Sequence, residues 1–132
     1  YLPDETFDGI RAEIEAFVGA VCQTDPWLRE HPPRFTWKTR NVFFPPVDTP
    51  PDHPIVGTVA SALNAVGRDV EIVGFNAASE LAWYAEQGIP GVIFGPGSIA
   101  QAHSPNEYVE LDQLHDAARV MALTAATWCG AG

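Results

Sequence analysis

Five prolines within fourteen residues divide this chain into two parts. They lie in NVFFPPVDTPPDHP, residues 41–54, and this density excludes both a helix and a central strand. We therefore interpret the segment as a linker or a crossover between domains. One helix and one strand are predicted before it, which cannot close a core alone, and too few strands for a stable open sheet are predicted after it. Both parts look like pieces of two domains.

The first part contains one helical and one extended pattern. Apolar side chains at helical spacing predict a helix over residues 4–23, with carboxylates near its start that favour it. RFTWKTR, residues 34–40, alternates aromatic with basic or small polar side chains, which predicts a half-buried strand with a basic outer face. That face could contact an anionic substrate, although a solvated sheet surface is the simpler interpretation.

The second part alternates the two patterns. Helices are predicted over residues 54–66, 77–87 and 113–128, and the apolar runs at 70–75 and 91–94 predict buried strands. Strand, helix and strand in this order indicate a βαβ unit, with a parallel pair and a right-handed crossover.

Signals for helix ends accompany these patterns. Asp52 and Asp112 are placed to cap the first and last of the three helices, and Gly67 and Gly88 to end the first and second. His53 beside the first cap is interpreted as a surface or capping residue.

Composition excludes several classes of partner. Seven Lys and Arg against 17 Asp and Glu give a formal charge of −10, so nucleic acid and anionic membranes are repelled. No apolar run reaches the roughly 18 residues of a membrane span, and no signal peptide is recognisable. We therefore expect a soluble, cytoplasmic protein. Cys22 and Cys129 lack CxxC spacing and are expected to be reduced, partly buried thiols. The start at Tyr1, without Met, suggests a piece of a longer chain.

The Gly-Pro-Gly turn after residues 91–94 is one candidate binding feature. Ligands of open α/β sheets bind at the carboxyl ends of strands. Gly95 and Gly97 lack Cβ, so a ligand could approach the backbone, and the N–H groups of Gly97 and Ser98 could face an anion. A simple turn is the alternative, and it is the commoner use of these residues.

His103, in the loop that follows, is the other candidate. An imidazole on such a loop can bind zinc, with Asn106 and Glu107 orienting it, but zinc needs three or four protein ligands. An ordinary surface histidine is therefore the alternative. The other histidines show no HxH or HExxH spacing, and the chain contains no GxSxG, P-loop or GxGxxG motif.

A longer stretch carries a resemblance to a known family. GIPGVIFGPGSIAQAHSPNEYVELDQL, residues 88–114, resembles the C-terminal signature of the co-catalytic zinc amidohydrolases that include acetylornithine deacetylase, succinyl-diaminopimelate desuccinylase, aminoacylase and glutamate carboxypeptidase. The shared elements are a Gly-Ile-Pro strand, Gly-Pro-Gly, Ala-His, an amide or acidic residue with Glu, a short strand and the last helix. The resemblance is strong over 70–129 and weaker over 1–69.

The resemblance implies a fold and a domain division. Residues 1–44 would be the end of an α+β lid, or dimerisation, domain. Residues 45–132 would be the C-terminal segment of a mixed-sheet α/β catalytic domain, which the family builds from two stretches of chain with the lid inserted between them. The incompleteness of both parts is then expected.

The resemblance also implies roles for site residues. His103 matches the last ligand of a site for two divalent metal ions, expected to be zinc. Gly95, Gly97 and Ser98 match the turn that approaches the substrate's carboxylate or scissile amide. Asn106 and Glu107 match the support of the metal-binding loop. The remaining ligands and the general base lie upstream in the family, so no catalytic residue is expected here and the chain alone should be inactive.

The function implied is hydrolysis of an N-acyl or peptide amide bond next to a carboxylate by a metal-activated water. The expected substrate is a small N-acyl amino acid or peptide, and the complete protein is expected to be a homodimer. Asn76 stands where many relatives carry an aspartate, so substrate preference or local pKa values can differ. A non-catalytic binding module of the same architecture and a stand-alone α/β domain are the alternatives.

Overall fold

The computed structural model describes residues 1–37 and 44–130, and the regular structure of these residues is helical. The chain forms two compact units, Tyr1–Asp48 and Thr49–Gly132. Their assignment to a lid and to a catalytic segment stays a prediction. The helices, in chain order, are α1 (Phe7–Cys22), α2 (Pro26–Glu30), α3 (Pro54–Ala65), α4 (Leu81–Ala85), a 3₁₀ helix (Ile99–Gln101) and α5 (Leu111–Cys129).

The first unit is built on α1, which lies within the range that its apolar spacing predicts. Thr6 caps the helix, since its Oγ1 accepts a hydrogen bond from the N–H of Gly9 at 3.1 Å. Trp37 packs edge-on against Phe7, with ring centroids 6.1 Å apart, and its Nε1 donates to Glu15 Oε1 at 2.7 Å. These contacts tie the segment after α2 to one face of α1.

The second unit has its core where α3 packs against α5. His53 is the N-cap of α3, because its Nδ1 accepts a hydrogen bond from the N–H of Ile55 at 3.2 Å. The prediction of Asp52 as the cap was wrong by one residue. Small and β-branched side chains fill this core, and the buried ones are Val56, Ala62, Ala82, Ala117 and Val120.

The predicted mixed-sheet α/β fold is wrong for the described residues, which contain no strand. The runs at 70–75 and 91–94 lie in no regular element, and Val73 is 68% exposed. The βαβ unit is therefore absent from this part of the chain. At Gly91, Thr49 Oγ1 donates to the carbonyl oxygen at 2.7 Å and accepts from the N–H at 3.4 Å. A side chain thus holds both backbone groups that a neighbouring strand would use.

The strand predicted over 34–40 is not formed by its described part, residues 34–37. Residues 38–40 lie outside the described ranges. Phe35 and Trp37 nevertheless share a face, as their alternation predicts, and their rings stack with centroids 5.7 Å apart. The alternation therefore identified the common face, although it does not belong to a sheet here.

Two helices differ in extent from their predictions. The helix predicted over 77–87 is the short α4, and Gly88 follows it with a φ of 73°. The last helix, α5, begins at Leu111 with Glu110 as the N-cap, so Asp112 lies in its first turn and is not the cap.

The described ranges also bear on membrane insertion and on cysteine pairing. No helix there combines the length and apolar character needed to cross a bilayer. Cys22 and Cys129 are both free, the first buried and the second exposed.

Candidate active site

One hydrogen bond joins the Gly-Pro-Gly turn to the first turn of α5. The N–H of Gly97 donates to Gln113 Oε1 at 2.8 Å. Gly97 has a φ of 92°, in the left-handed region that strains any residue with a Cβ. Gly95 and Gly97 are both exposed. The turn is therefore exposed to solvent, and its hydrogen bond to α5 holds it in position.

Ser98 connects this turn to the histidine loop. Its Oγ accepts a hydrogen bond from the N–H of Ala100 at 3.3 Å and so caps the 3₁₀ helix that follows. Ser98 itself is exposed. The side chain thus has a local structural task, while the backbone at Ser98 lies at the surface beside Gly97.

His103 has an unusual backbone conformation. With a φ of 63°, it is the non-glycine residue of positive φ in the described parts of the chain. Its N–H donates to Glu107 Oε2 at 3.2 Å. Left-handed conformations of non-glycine residues are uncommon and cluster at functional sites, where the surroundings must hold them. Glu107 provides such support. It binds the backbone N–H of His103 and does not bind the imidazole, which is exposed.

Asn106 is not brought to His103 in the same way. It is exposed, and among the described residues no hydrogen bond joins its side chain to His103, whose N–H is taken by Glu107. Asn76, the position of the departure from the family pattern, is exposed as well. The structure therefore links Glu107 to the histidine loop but gives no such link for the two asparagines.

The residues present fit one ligand position of a metal centre and no more. His103 offers a single imidazole, and the described residues hold no group of three His, Cys, Asp or Glu side chains that could bind a metal ion. Zinc requires three or four protein ligands. A metal centre that uses His103 must therefore take its other ligands from elsewhere.

A charged cluster holds the start of α5 in place. Arg68 donates from Nε to Asp116 Oδ2 at 2.8 Å and from a terminal nitrogen to Asp112 Oδ2 at 2.9 Å. The hydrogen bond from Arg68 keeps the pKa of Asp112 below its ordinary value, and the N–H of Gln113 acts in the same direction. The hydrogen bonds to Asp112 and Asp116 in turn raise the pKa of Arg68.

Sequence reasoning missed two contributors to this region, Gln113 and Arg68. Gln113 lies inside the stretch that carries the family resemblance, so its place near the start of the last predicted helix could have marked it as a candidate. Arg68 follows Gly67 and had no motif to mark it. Its partners are 44 and 48 residues away, a separation that local patterns do not reveal.

Comparison with known proteins identifies the chain's relatives. Residues 5–127 match the Peptidase_M20 family, described as peptidase family M20/M25/M40. An N-formyl-4-amino-5-aminomethyl-2-methylpyrimidine deformylase of Bacillus subtilis is 34% identical over 98% of this chain and 32% of its own length. The deformylase of the same name from Halalkalibacterium halodurans is 30% identical with the same coverage of both chains.

A third relative carries a different name. An acetylornithine deacetylase of Pectobacterium carotovorum is 33% identical over 65% of this chain and 21% of its own length. Among solved structures, none is significantly similar. The chain spans about a third of the length of the curated deformylases it matches. The resemblance first seen around the Gly-Pro-Gly turn and His103 is thus confirmed along nearly the whole chain, which belongs to peptidase family M20/M25/M40.

Proposed function

We propose that this chain is the C-terminal part of a metal-dependent amidohydrolase that acts on a small N-acyl amine or peptide. The observation that carries the proposal is the family match over residues 5–127. The left-handed His103, held by Glu107, supports it, because a strained residue with an exposed imidazole is typical of a functional loop.

The substrate class follows from what the relatives' names share. One name describes removal of a formyl group from an aminomethylpyrimidine, and the other describes removal of an acetyl group from ornithine. Both reactions break an amide bond between a small acyl group and an amine. The narrower expectation from the sequence, a carboxylate beside the scissile bond, fits ornithine but not the aminomethylpyrimidine, so it is not part of this proposal.

The chain's own residues would each have a defined role. His103 would supply one metal ligand, and Glu107 would hold the backbone that presents it. Gly95, Gly97 and Ser98 would line the path of the substrate with exposed backbone. We assign no general base to this chain, since that residue is expected upstream of the lid.

The metal ions, expected to be two zinc ions, would polarise the scissile carbonyl and activate the attacking water when bound. Their other ligands would come from residues outside this chain. We therefore expect the 132-residue chain alone to be inactive. A homodimeric assembly and a cytoplasmic location belong to the same proposal for the complete protein.

The test uses the full-length protein that contains this chain. With divalent metal supplied, it should hydrolyse N-formyl or N-acetyl amines, and chelation should abolish the activity. His103→Ala should lower kcat/KM by about 100-fold or more and should also reduce the bound metal, measured by elemental analysis. His115→Ala is the matched control, because His115 is an exposed histidine of α5 for which no metal role is proposed.

Two results would contradict the proposal. One is a metal-loaded protein that hydrolyses no N-acyl amine or peptide, which would favour the non-catalytic binding module. The other is a His103→Ala variant that keeps both its metal content and its activity, since the loop would then have no part in the site.

A further inference from the structure

The Gly-Pro-Gly turn is held by a neutral side chain that could also face the substrate. Gln113 Oε1 accepts the hydrogen bond from the Gly97 N–H at 2.8 Å, although the two residues are 16 positions apart. Gln113 is half-buried in the first turn of α5. Its planar amide group carries two N–H donors beside that oxygen. The side chain therefore presents both a donor and an acceptor at the turn without carrying a charge.

No unpaired cation of the second unit is available near this turn. Residues 49–130 contain two cationic side chains, Arg68 and Arg119, against nine carboxylates. Arg68 pairs with Asp112 and Asp116, and Arg119 pairs with Asp116 at 3.2 Å. Both guanidinium groups are thus already neutralised by carboxylates of α5. A substrate carboxylate at the turn would meet an excess of negative charge from this unit.

Resting on the proposed function, we infer that Gln113 determines specificity at this turn, and that the substrate group it receives is uncharged. The group is the amide or a neutral hydrogen-bonding ring of an N-acyl amine, and not a carboxylate. Gln113 fixes the Gly97 peptide through its oxygen and offers its amide hydrogens to an oxygen or nitrogen acceptor of the substrate. This narrows the sequence-based expectation, which allowed either a carboxylate or the scissile amide at Gly97.

The geometry explains why a neutral group is favoured. The Gly97 N–H already has an acceptor, so a carboxylate could bind it only by displacing Gln113. A neutral amide can accept from the Gln113 amide hydrogens while the Gly97 contact stays in place. A carboxylate would in addition lose its hydration without gaining a partner of opposite charge in this unit.

The experiment compares two N-formyl substrates of similar size on the full-length, metal-loaded protein. One carries a neutral ring beside the formylated amine and the other carries a carboxylate. The wild type should favour the neutral substrate by about tenfold or more in kcat/KM.

Three variants at one position separate charge from hydrogen bonding. Gln113→Glu keeps the acceptor for Gly97 but loses the donor to the substrate. It should therefore raise KM for the neutral substrate by about threefold, and for the carboxylate substrate, which also meets a like charge, by about tenfold more. Gln113→Leu removes the donor and the acceptor together. It should lower kcat/KM for the neutral substrate by about three- to tenfold and lower it less for the carboxylate substrate, which no longer has to displace Gln113. Gln113→Lys should move the preference towards the carboxylate substrate.

A structural measurement accompanies the kinetics. Exchange of the Gly97 amide proton, measured on the full-length, metal-loaded protein, should be slow in the wild type and in Gln113→Glu and faster in Gln113→Leu. A purely structural role for Gln113 would reproduce this exchange pattern but would change both substrates alike in Gln113→Glu. That equal change would overturn the inference.

The failures of the two proposals can be distinguished. Hydrolysis with a preference for the carboxylate substrate refutes the specificity role of Gln113 and leaves the proposed function standing. Absence of hydrolysis of both substrates refutes the proposed function, and this inference with it.

Discussion

Replacing Val120 by alanine tests where the core of the second unit lies. Val120 is the largest fully buried side chain in the described residues, with 1% exposure, on the helix that packs against α3. Loss of its two methyl groups removes about 1.6 kcal/mol of transfer free energy at about 0.8 kcal/mol per carbon. The cavity left behind adds about 1 kcal/mol, and the better helix propensity of alanine returns about 0.5 kcal/mol. The expected net loss of unfolding free energy is about 2 kcal/mol.

Urea unfolding of the 132-residue chain measures this loss as a lower midpoint at an unchanged m-value. Val73→Ala is the matched control, because it makes the same chemical change at a site that is 68% exposed in the same unit. It should change the unfolding free energy by less than about 0.5 kcal/mol. Equal losses for the two variants would refute the reasoning, since residues 70–75 would then be as buried as α5.

Three further predictions concern the turn, the histidine loop and the charged cluster. Gly97→Ala should destabilise the chain by about 1 kcal/mol or more because the φ of Gly97 is 92°. Gly95→Ala should be nearly neutral because there is open space at the Cβ position of Gly95. Thermal unfolding of the two variants measures this difference. Glu107→Ala should speed amide exchange at His103 by about tenfold, and Glu107→Gln, which keeps an acceptor, should not; equal rates in NMR would contradict the supporting role. Arg68 lowers the pKa of Asp112 in the folded chain, so the stability it contributes is present above the ordinary value of 3.8 and is lost as the pH falls through the lowered folded-state pKa. The wild type should therefore unfold at a higher urea midpoint than Asp112→Asn at neutral pH, and this difference should shrink as the pH falls below 3.8. A difference that does not change with pH would contradict the stabilising role of the Arg68–Asp112 pair.

Helices were the part of the fold that local patterns could predict. Periodic apolar residues define α1, α3 and α5 because a helix completes its own hydrogen bonds, so one face against any core is enough. Their ends were less accurate. His53 caps α3 in place of Asp52, and both residue types can accept a backbone hydrogen bond at that point. The choice between them depends on the path of the chain before the helix.

The strand predictions were wrong for a different physical reason. An apolar, β-branched run indicates a preference for a buried, pleated surface, but a strand exists only where a second strand pairs with it. Residues 70–75 and 91–94 have no such partner in the described ranges. Thr49 instead forms hydrogen bonds with the N–H and carbonyl groups of Gly91. The two residues are 42 positions apart, so local sequence patterns cannot predict this contact.

The candidate site shows the same division between local and distant information. His103 and the Gly-Pro-Gly turn were recognised through a motif, whereas the features that hold them come from tertiary structure. Arg68 clamps the first turns of α5 through Asp112 and Asp116, and the same helical turn supplies the Gln113 oxygen that holds Gly97. The position of the turn therefore depends on the packing of α3 against α5 as well as on its own glycines. The two guanidinium groups of residues 49–130, those of Arg68 and Arg119, both pair with these aspartates, so the same cluster sets the charge of this end of α5. Under the specificity that we propose for Gln113, packing and substrate preference are linked through the first turns of α5.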